Sequence, residues 1–367
     1  MKHKLISIVV PTLREVANIT TLARRISQSL DGLDFEIIIV DDNSQDGTVE
    51  KVQELSRELP IRVIVRTDTS DGLGGAVLAG LNDAKGDVFV VMDADLQHPP
   101  ERIPALIEVI ENEQGDFALG SRHVAGATTS ENWSAFRKLN SYVATQLARP
   151  FAGAIKDPMS GFFALTRKTY ERGAYLAPLG YKIALELICK CRVENVVEIP
   201  IHFGLREQGQ SKLSLKQQFK YLEHLSRLYD FTFPRLAPAT KFLVVVAMAW
   251  FVGAGTFSLA RKTFTELPIA IGISYAFTII TAAIFHSRYV RTQRAWLIRP
   301  TAWRDFLISG LIELMVAMLV ALFIQWRITA PTVVEQFVIP FFCATVVRYI
   351  LRKEFQLDIR GLRFIPK

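Results

Sequence analysis

The chain has 367 residues, half of them apolar, with a formal net charge of +7 and three cysteines. That length allows about two domains. The small positive charge, with no basic–aromatic module, excludes nucleic acid as the main partner and points to anionic lipid or phosphate. Cys189, Cys191 and Cys343 form neither a disulfide framework nor a metal site, so they read as free thiols in a reducing compartment.

The N-terminal MKHKLISIVVPT carries only a short apolar stretch, which reads as a strand and not as a signal peptide. Strand signals follow at 5–11, 35–42, 61–66, 87–93 and 116–122. Between them, helical patterns run through Leu22, Ile26 and Leu30, then 47–59, 74–84 and 99–111, the last with prolines at its start. Continuous apolar strands alternating with helices imply an α/β fold with a parallel sheet covered on both faces. Ligands of such sheets bind beyond the carboxyl ends of the strands. Asp41, Asp42, Asp93 and Asp95 all fall at that edge.

Beyond residue 235 the character changes. Four apolar segments, 241–260, 267–286, 305–325 and 332–351, each have the length that crosses a bilayer as helix. The connection between the second and third carries Arg288, Arg291, Arg294, Arg299 and Arg304. The tail carries Arg352, Lys353, Arg360, Arg363 and Lys367. The excess of positive charge places this loop, the tail and the N-terminal domain in the cytoplasm of a multi-pass cell-membrane protein. Glu313 lies inside the third segment, where a charge is costly; it either sits near the interface or faces a neighbouring helix. Two stretches, 132–151 and 214–236, mix apolar residues at helical spacing with lysine and arginine. They read either as interfacial helices on the bilayer or as helices packed on the globular domain.

The sequence VVMDADLQHPP at 90–100 ends a buried strand in a D-x-D pair. Residues two apart in an extended chain point the same way, and carboxylates suit a hard divalent ion such as Mg²⁺ or Mn²⁺. A lone D-x-D is also an ordinary polar loop. Its place at a strand's carboxyl end, near a second acidic strand end, gives it weight. Asp42, Ser44 and Asp46 read as a turn and helix cap, and His98 as structural.

Six motifs occur in order: VVPTLREVANI, DDNSQDGT, DGLGGAVLAGL, DADLQHPP, DPMSGFFALTR and FGLREQGQSKL. Together they resemble the family-2 glycosyltransferases of GT-A fold, most closely the dolichol-phosphate (polyprenol-phosphate) mannose synthases, over residues 5–235. The four-span region is similar to the membrane domain fused to such synthases in some microbes. The resemblance implies three regions: a cytoplasmic GT-A domain at 1–210, amphipathic linker helices at 211–239 and a four-helix membrane domain at 240–367. It implies transfer of a hexose, mannose from GDP-mannose foremost, to a dolichyl or polyprenyl phosphate. A glucose or aminosugar transferase using a UDP-sugar, and a glycolipid carrier with a regulatory soluble domain, are the alternatives.

By position, the resemblance implies that Pro11, Leu13, Glu15, Ile39 and Asp41 hold the nucleoside. Asp93, Ala94, Asp95 and Gln97 hold metal and diphosphate, with Asp93, Asp95 and Gln97 as metal ligands. Arg122, Lys182, Arg206 and Lys212 bind the phosphates, and Asp93, Asp95, Arg122 and Arg206 form the catalytic set. Arg122, Arg137 and Ser141 bind the acceptor phosphate. Asp157 and Ser160 shape the sugar pocket, and Glu186 binds sugar hydroxyls. Leu13 and Arg14 stand where the family carries Tyr and Asn, so an aromatic platform for the base is lost. The loop HVAGATTSENW also lacks the family's paired glycines.

Overall fold

The computed structural model describes residues 5–129, 135–174, 176–177, 182–204, 215–285, 302–329, 331–332 and 334–354. The chain divides into two compact units, Met1–Thr232 and Phe233–Lys367.

The first unit is built on strands β1 (Ile6–Thr12), β2 (Phe35–Asp41), β3 (Ile61–Val65), β4 (Val88–Val91), β5 (Phe117–Ser121), β7 (Phe163–Thr166) and β8 (Val196–Pro200). Their order in the sheet is β3-β2-β1-β4-β7-β5-β8. All neighbours pair in parallel except β7, which runs antiparallel between β4 and β5. The expected parallel sheet is therefore present, with one reversed strand that the helix–strand alternation does not announce. A short parallel pair, β6 (Thr128–Thr129) with β9 (His202–Phe203), lies apart.

Helices α1 (Val16–Ser29), α2 (Thr48–Leu55), α3 (Gly72–Asp83), α4 (Ile103–Glu111), α5 (Ala135–Ala152), α6 (Arg167–Glu171), α7 (Ile183–Lys190) and α8 (Leu215–Thr232) complete the unit. The strands read as unbroken apolar runs because both faces are covered. Ile8, Val10, Ile37 and Ile39 enter one core with Leu22, Ile26 and Leu106. Val9, Ile38 and Val40 enter the other with Val77, Leu81 and Leu187. Period-two alternation thus sorts consecutive β-branched residues into two cores. A third cluster joins α5, α7 and α8 through Ala148, Leu185, Leu225 and Leu228.

The loop after β2 is held by caps. Asp46 accepts N–H bonds from Val16 at 3.2 Å and from Thr48 at 3.1 Å, so one carboxylate closes the first turns of both α1 and α2. Thr48 Oγ1 donates to the same group at 2.7 Å. Asp46→Ala is expected to cost about 1 kcal/mol per lost cap, read as a lower unfolding temperature of the detergent-solubilised protein.

The second unit consists of α9 (Ala237–Thr263), α10 (Leu267–Phe285), α11 (Ala302–Arg327) and, after a π-helical turn at Val334–Val338, α12 (Ile339–Glu354). Four stretches are long and apolar enough to cross a membrane: Ala239–Thr263, Leu267–Phe285, Leu307–Arg327 and Val334–Leu351. They match the sequence segments within a few residues. Small residues let these helices approach closely. Ala270, Ala317, Ala321 and Ala344 are buried with Phe257, Phe337 and Phe341. A Cβ on Gly253 would lie 2.6 Å from the Phe341 ring. Glu313 faces its neighbours: it is fully buried, accepts from Arg348 Nε at 2.7 Å and from Tyr275 O–H at 3.2 Å. Of the basic residues from which the sequence predicts an orientation, Arg288, Arg291, Arg294, Arg299, Arg360, Arg363 and Lys367 lie outside the described residues.

Candidate active site

The sheet order reverses direction between β1 and β4, the point where an open parallel sheet leaves a crevice. The register shows how it opens. β1 pairs with β4 only as far as Val9↔Val91, but with β2 through Thr12↔Asp41. Past those residues β1 leads into Leu13–Glu15 and β4 into the D-x-D loop. Pro11 sits beyond the last β4 pair, where its missing N–H costs the ladder nothing. Leu13 is 42% exposed. Glu15 accepts from Asn18 Nδ2 at 2.8 Å.

The two strand-end aspartates of β2 behave differently from a free binding pair. Asp41 is 1% exposed and accepts from Ser44 N–H at 2.7 Å, Ser44 Oγ at 2.5 Å and Thr12 Oγ1 at 3.1 Å. Ser44 Oγ in turn accepts the Arg14 N–H at 2.8 Å, so Asp41 shapes the loop that borders the crevice. Asp42 accepts from Arg66 at 2.7 Å, and Arg66 also holds the carbonyls of Asp68 and Gly72. Ile39 lies two residues below the edge, its side chain in the core and its backbone in register with Val10 and Val63. It packs beneath the strand ends that border the crevice.

The D-x-D loop is bent by His98. The Asp93 N–H donates to His98 Nδ1 at 3.2 Å, so that nitrogen is the unprotonated one. The His98 ring is 3% exposed, stacked on Phe162 at 5.4 Å and against the edge of Phe203 at 5.5 Å. Leu96 turns the chain at φ +61°. The Asp93 side chain is 37% exposed, whereas Asp95 and Gln97 are buried. Ala94 between them is buried too. Gln97 N–H donates to Asp95 Oδ1 at 3.2 Å, and Gln97 exchanges bonds with Gly204 in both directions, at 3.0 and 3.2 Å. A Cβ on Gly161 would come within 3.3 Å of both Asp93 carboxylate oxygens, so glycine there leaves room beside the carboxylate.

Cations face this loop. Arg122, following β5, gives Asp157 a main-chain N–H at 2.9 Å and a two-pronged guanidinium contact at 2.8 and 2.7 Å. Its guanidinium also lies over the Phe203 ring, 5.1 Å from the centroid. Burial opposes charge on Asp157, but Arg122 outweighs it and holds the carboxyl below its usual range. Glu198 on β8 accepts the N–H groups of Lys156 and Asp157 at 2.9 and 3.0 Å, fixing that loop from behind. Asp157, 1% exposed, orients Arg122. Ser160 Oγ donates to the Gly120 carbonyl at 2.7 Å. Lys182 precedes α7 with Nζ 3.3 Å from the Met159 carbonyl. Burial and the Arg122 guanidinium pull its ammonium down to about 7, against the attraction of Asp157 and Asp93.

Glu186 is engaged by protein groups in this arrangement. It is 1% exposed, with Lys190 Nζ at 2.6 Å and His224 Nε2 at 2.7 Å. Burial disfavours its charge, but His224 and Lys190 hold the carboxyl down at about 2. Ser141 is half-buried on α5, one turn after Arg137. Arg206 and Lys212 lie outside the described residues. Sequence reasoning missed Phe203, Glu198 and His224, whose partners are far along the chain. The Glu186–Lys190 spacing of four was the one local signal for that cluster.

A carboxylate pair with an arginine and a lysine near it lies at the switch point of a parallel sheet, where ligands of such sheets bind. Residues 7–173 match the model of glycosyl transferase family 2. A dolichol-phosphate mannosyltransferase of Pyrococcus furiosus is 50% identical over 226 residues, 61% of this chain and 63% of that protein, so the match spans less than two thirds of its length. One of Mycosarcoma maydis is 41% identical over 67% of this chain and 86% of its own. An undecaprenyl-phosphate mannosyltransferase of Micrococcus luteus is 31% identical over 56% of this chain and 86% of its own. The chain belongs to glycosyltransferase family 2.

Proposed function

We propose that the protein transfers mannose from GDP-mannose to a dolichyl or polyprenyl phosphate in a single inverting displacement. The observation that carries this is Asp93 and Asp95 at the switch point with Arg122 and Lys182 beside them, in a chain whose relatives are named dolichol-phosphate and undecaprenyl-phosphate mannosyltransferases. An acceptor phosphate oxygen attacks the anomeric carbon. The bond from that carbon to the diphosphate breaks on the opposite face, and GDP leaves with the electron pair. The acceptor is ionised at neutral pH, so no strong general base is needed, and positioning with charge stabilisation supplies the rate.

Asp93, Asp95 and Gln97 form a hard oxygen donor set that fits Mg²⁺ or Mn²⁺. Among the described residues no group of three or more His, Cys, Asp or Glu could hold a metal, so the diphosphate and water would complete the coordination. A bound divalent ion would neutralise charge on the departing diphosphate. Arg122 and Lys182 would bind phosphate oxygens from the other side, joined by Arg206 and Lys212. Pro11, Leu13, Glu15 and Asp41 border the nucleoside end. Arg137 and Ser141 serve the acceptor phosphate.

The exposed apolar residues Leu139, Tyr142 and Val143 on α5 and Phe219 and Leu222 on α8 support a bilayer-facing role for both helices. With the positive-inside bias, this reading puts the first unit and the tail in the cytoplasm, at the cell membrane. Incubating membranes containing the protein with Mn²⁺, a C55 polyprenyl phosphate and either GDP-mannose or UDP-glucose tests the function. A mannolipid from GDP-mannose is expected. A glycolipid from UDP-glucose alone would replace the donor, and no glycolipid from any nucleotide sugar would overturn the reading.

Lys182 gives this reading a pH signature. Its ammonium is charged below about 7 and loses its proton above it. A sugar nucleotide's diphosphate has no ionisation in that range, and it binds the charged form. The Kd for GDP-mannose should therefore weaken by up to about tenfold per pH unit above neutrality. Lys182→Met should flatten the profile. Calorimetric titration from pH 6 to 8.5 checks both.

A further inference from the structure

Glu186 has partners in three segments. Oε1 accepts the Ala177 N–H at 2.9 Å and Lys190 Nζ at 2.6 Å, while Oε2 meets His224 Nε2 of α8 at 2.7 Å. Ala177 lies on the chain that leads into α7 through Lys182. His224 is fully buried and its Nδ1 has no hydrogen-bond partner, so Nε2 is the ring nitrogen that carries its polar contact. Around this bond, Leu225 and Leu228 of α8 pack with Leu185, and Tyr221 O–H donates to the Ala144 carbonyl of α5 at 2.7 Å. Apolar side chains at 186 and 224 would hold two helices together at least as well as a buried ion pair does. What the charged hydrogen bonds add is direction, because they fix one orientation of three segments about a single carboxylate.

We propose that Glu186 and His224 are positioning residues for the donor-phosphate site: they lock the entry to α7 against α8 and so set where the Lys182 ammonium stands. The proposal rests on Lys182 being a diphosphate ligand. Neither residue touches substrate, and their effect passes through Lys182.

The test is a double-mutant cycle on the full chain in membranes, with GDP-mannose as varied substrate. H224F removes the N–H at similar volume; it should raise the donor KM about tenfold and leave kcat within about twofold. H224Q, whose amide can donate near the Nε2 position, should restore the wild-type KM. In a K182M background, H224F should add nothing. Equal KM increases with and without Lys182, a loss of kcat at unchanged KM, or an H224Q protein no better than H224F would each overturn the proposal. Where H224F does not accumulate, E186Q carries the same cycle. A K182M protein with wild-type KM would remove Lys182 from the diphosphate site and this inference with it, while leaving the D-x-D reading to its own test.

Discussion

Asp95→Ala is expected to lower mannosyl transfer by more than about a hundredfold, even at saturating Mn²⁺. Asp95 is buried beside the more exposed Asp93, and its Oδ1 accepts the Gln97 N–H. Removing it deletes a negative charge from the proposed metal and diphosphate site, and also a bond that shapes the loop. Asp95→Asn separates the two effects, since it keeps the shape and loses the charge. Both variants should be inactive if charge is the cause. Quantifying lipid-linked mannose in membranes with equal amounts of protein decides it, and near-normal turnover by either variant at high Mn²⁺ sinks the assignment. Glycolipid movement that persisted without transfer would instead favour the carrier alternative.

The second large effect lies in the apolar helices. Glu313 on α11 and Arg348 on α12 form a pair that is 0% and 6% exposed at the side chains, with Tyr275 of α10 as third member. Removing either charge leaves its partner buried and uncompensated. E313A or R348A should therefore destabilise the second unit by about 3–5 kcal/mol. Replacing both by leucine removes the charges together and should cost far less. Thermal unfolding and monodispersity in detergent are the measurements. A double-leucine protein as unstable as the single alanines would show that the pair does more than satisfy itself.

The parallel half of the sheet was legible because its strands are buried on both faces, which leaves unbroken apolar runs ending in aspartates. The four spans were legible for a similar reason, since a helix facing lipid must be apolar over its whole length. β7 was not, because four residues carry no period and an antiparallel partner leaves no local mark. Asp157 and Glu186 were recognised as important, but the side chains that hold them were not legible. Their decisive partners, Arg122 and His224, lie 35 and 38 residues away, and no spacing rule connects them. His98 and Asp46 were read correctly because capping and turn chemistry is local.

The reversed strand has a consequence for the chain as it is made. β4 pairs with β1 and β7, and β5 with β7 and β8, so the two halves of the sheet meet only through β7. Val91 ends β4 and Phe163 begins β7, 72 positions later. During synthesis at about 5–20 residues per second, the apolar edge VFVV waits roughly 4–14 s for its partner. An unpaired apolar edge is a template for aggregation. The nascent protein therefore passes through an interval in which the half built on β1 to β4 can fold, while the half bearing Arg122 and α5 cannot yet be seated.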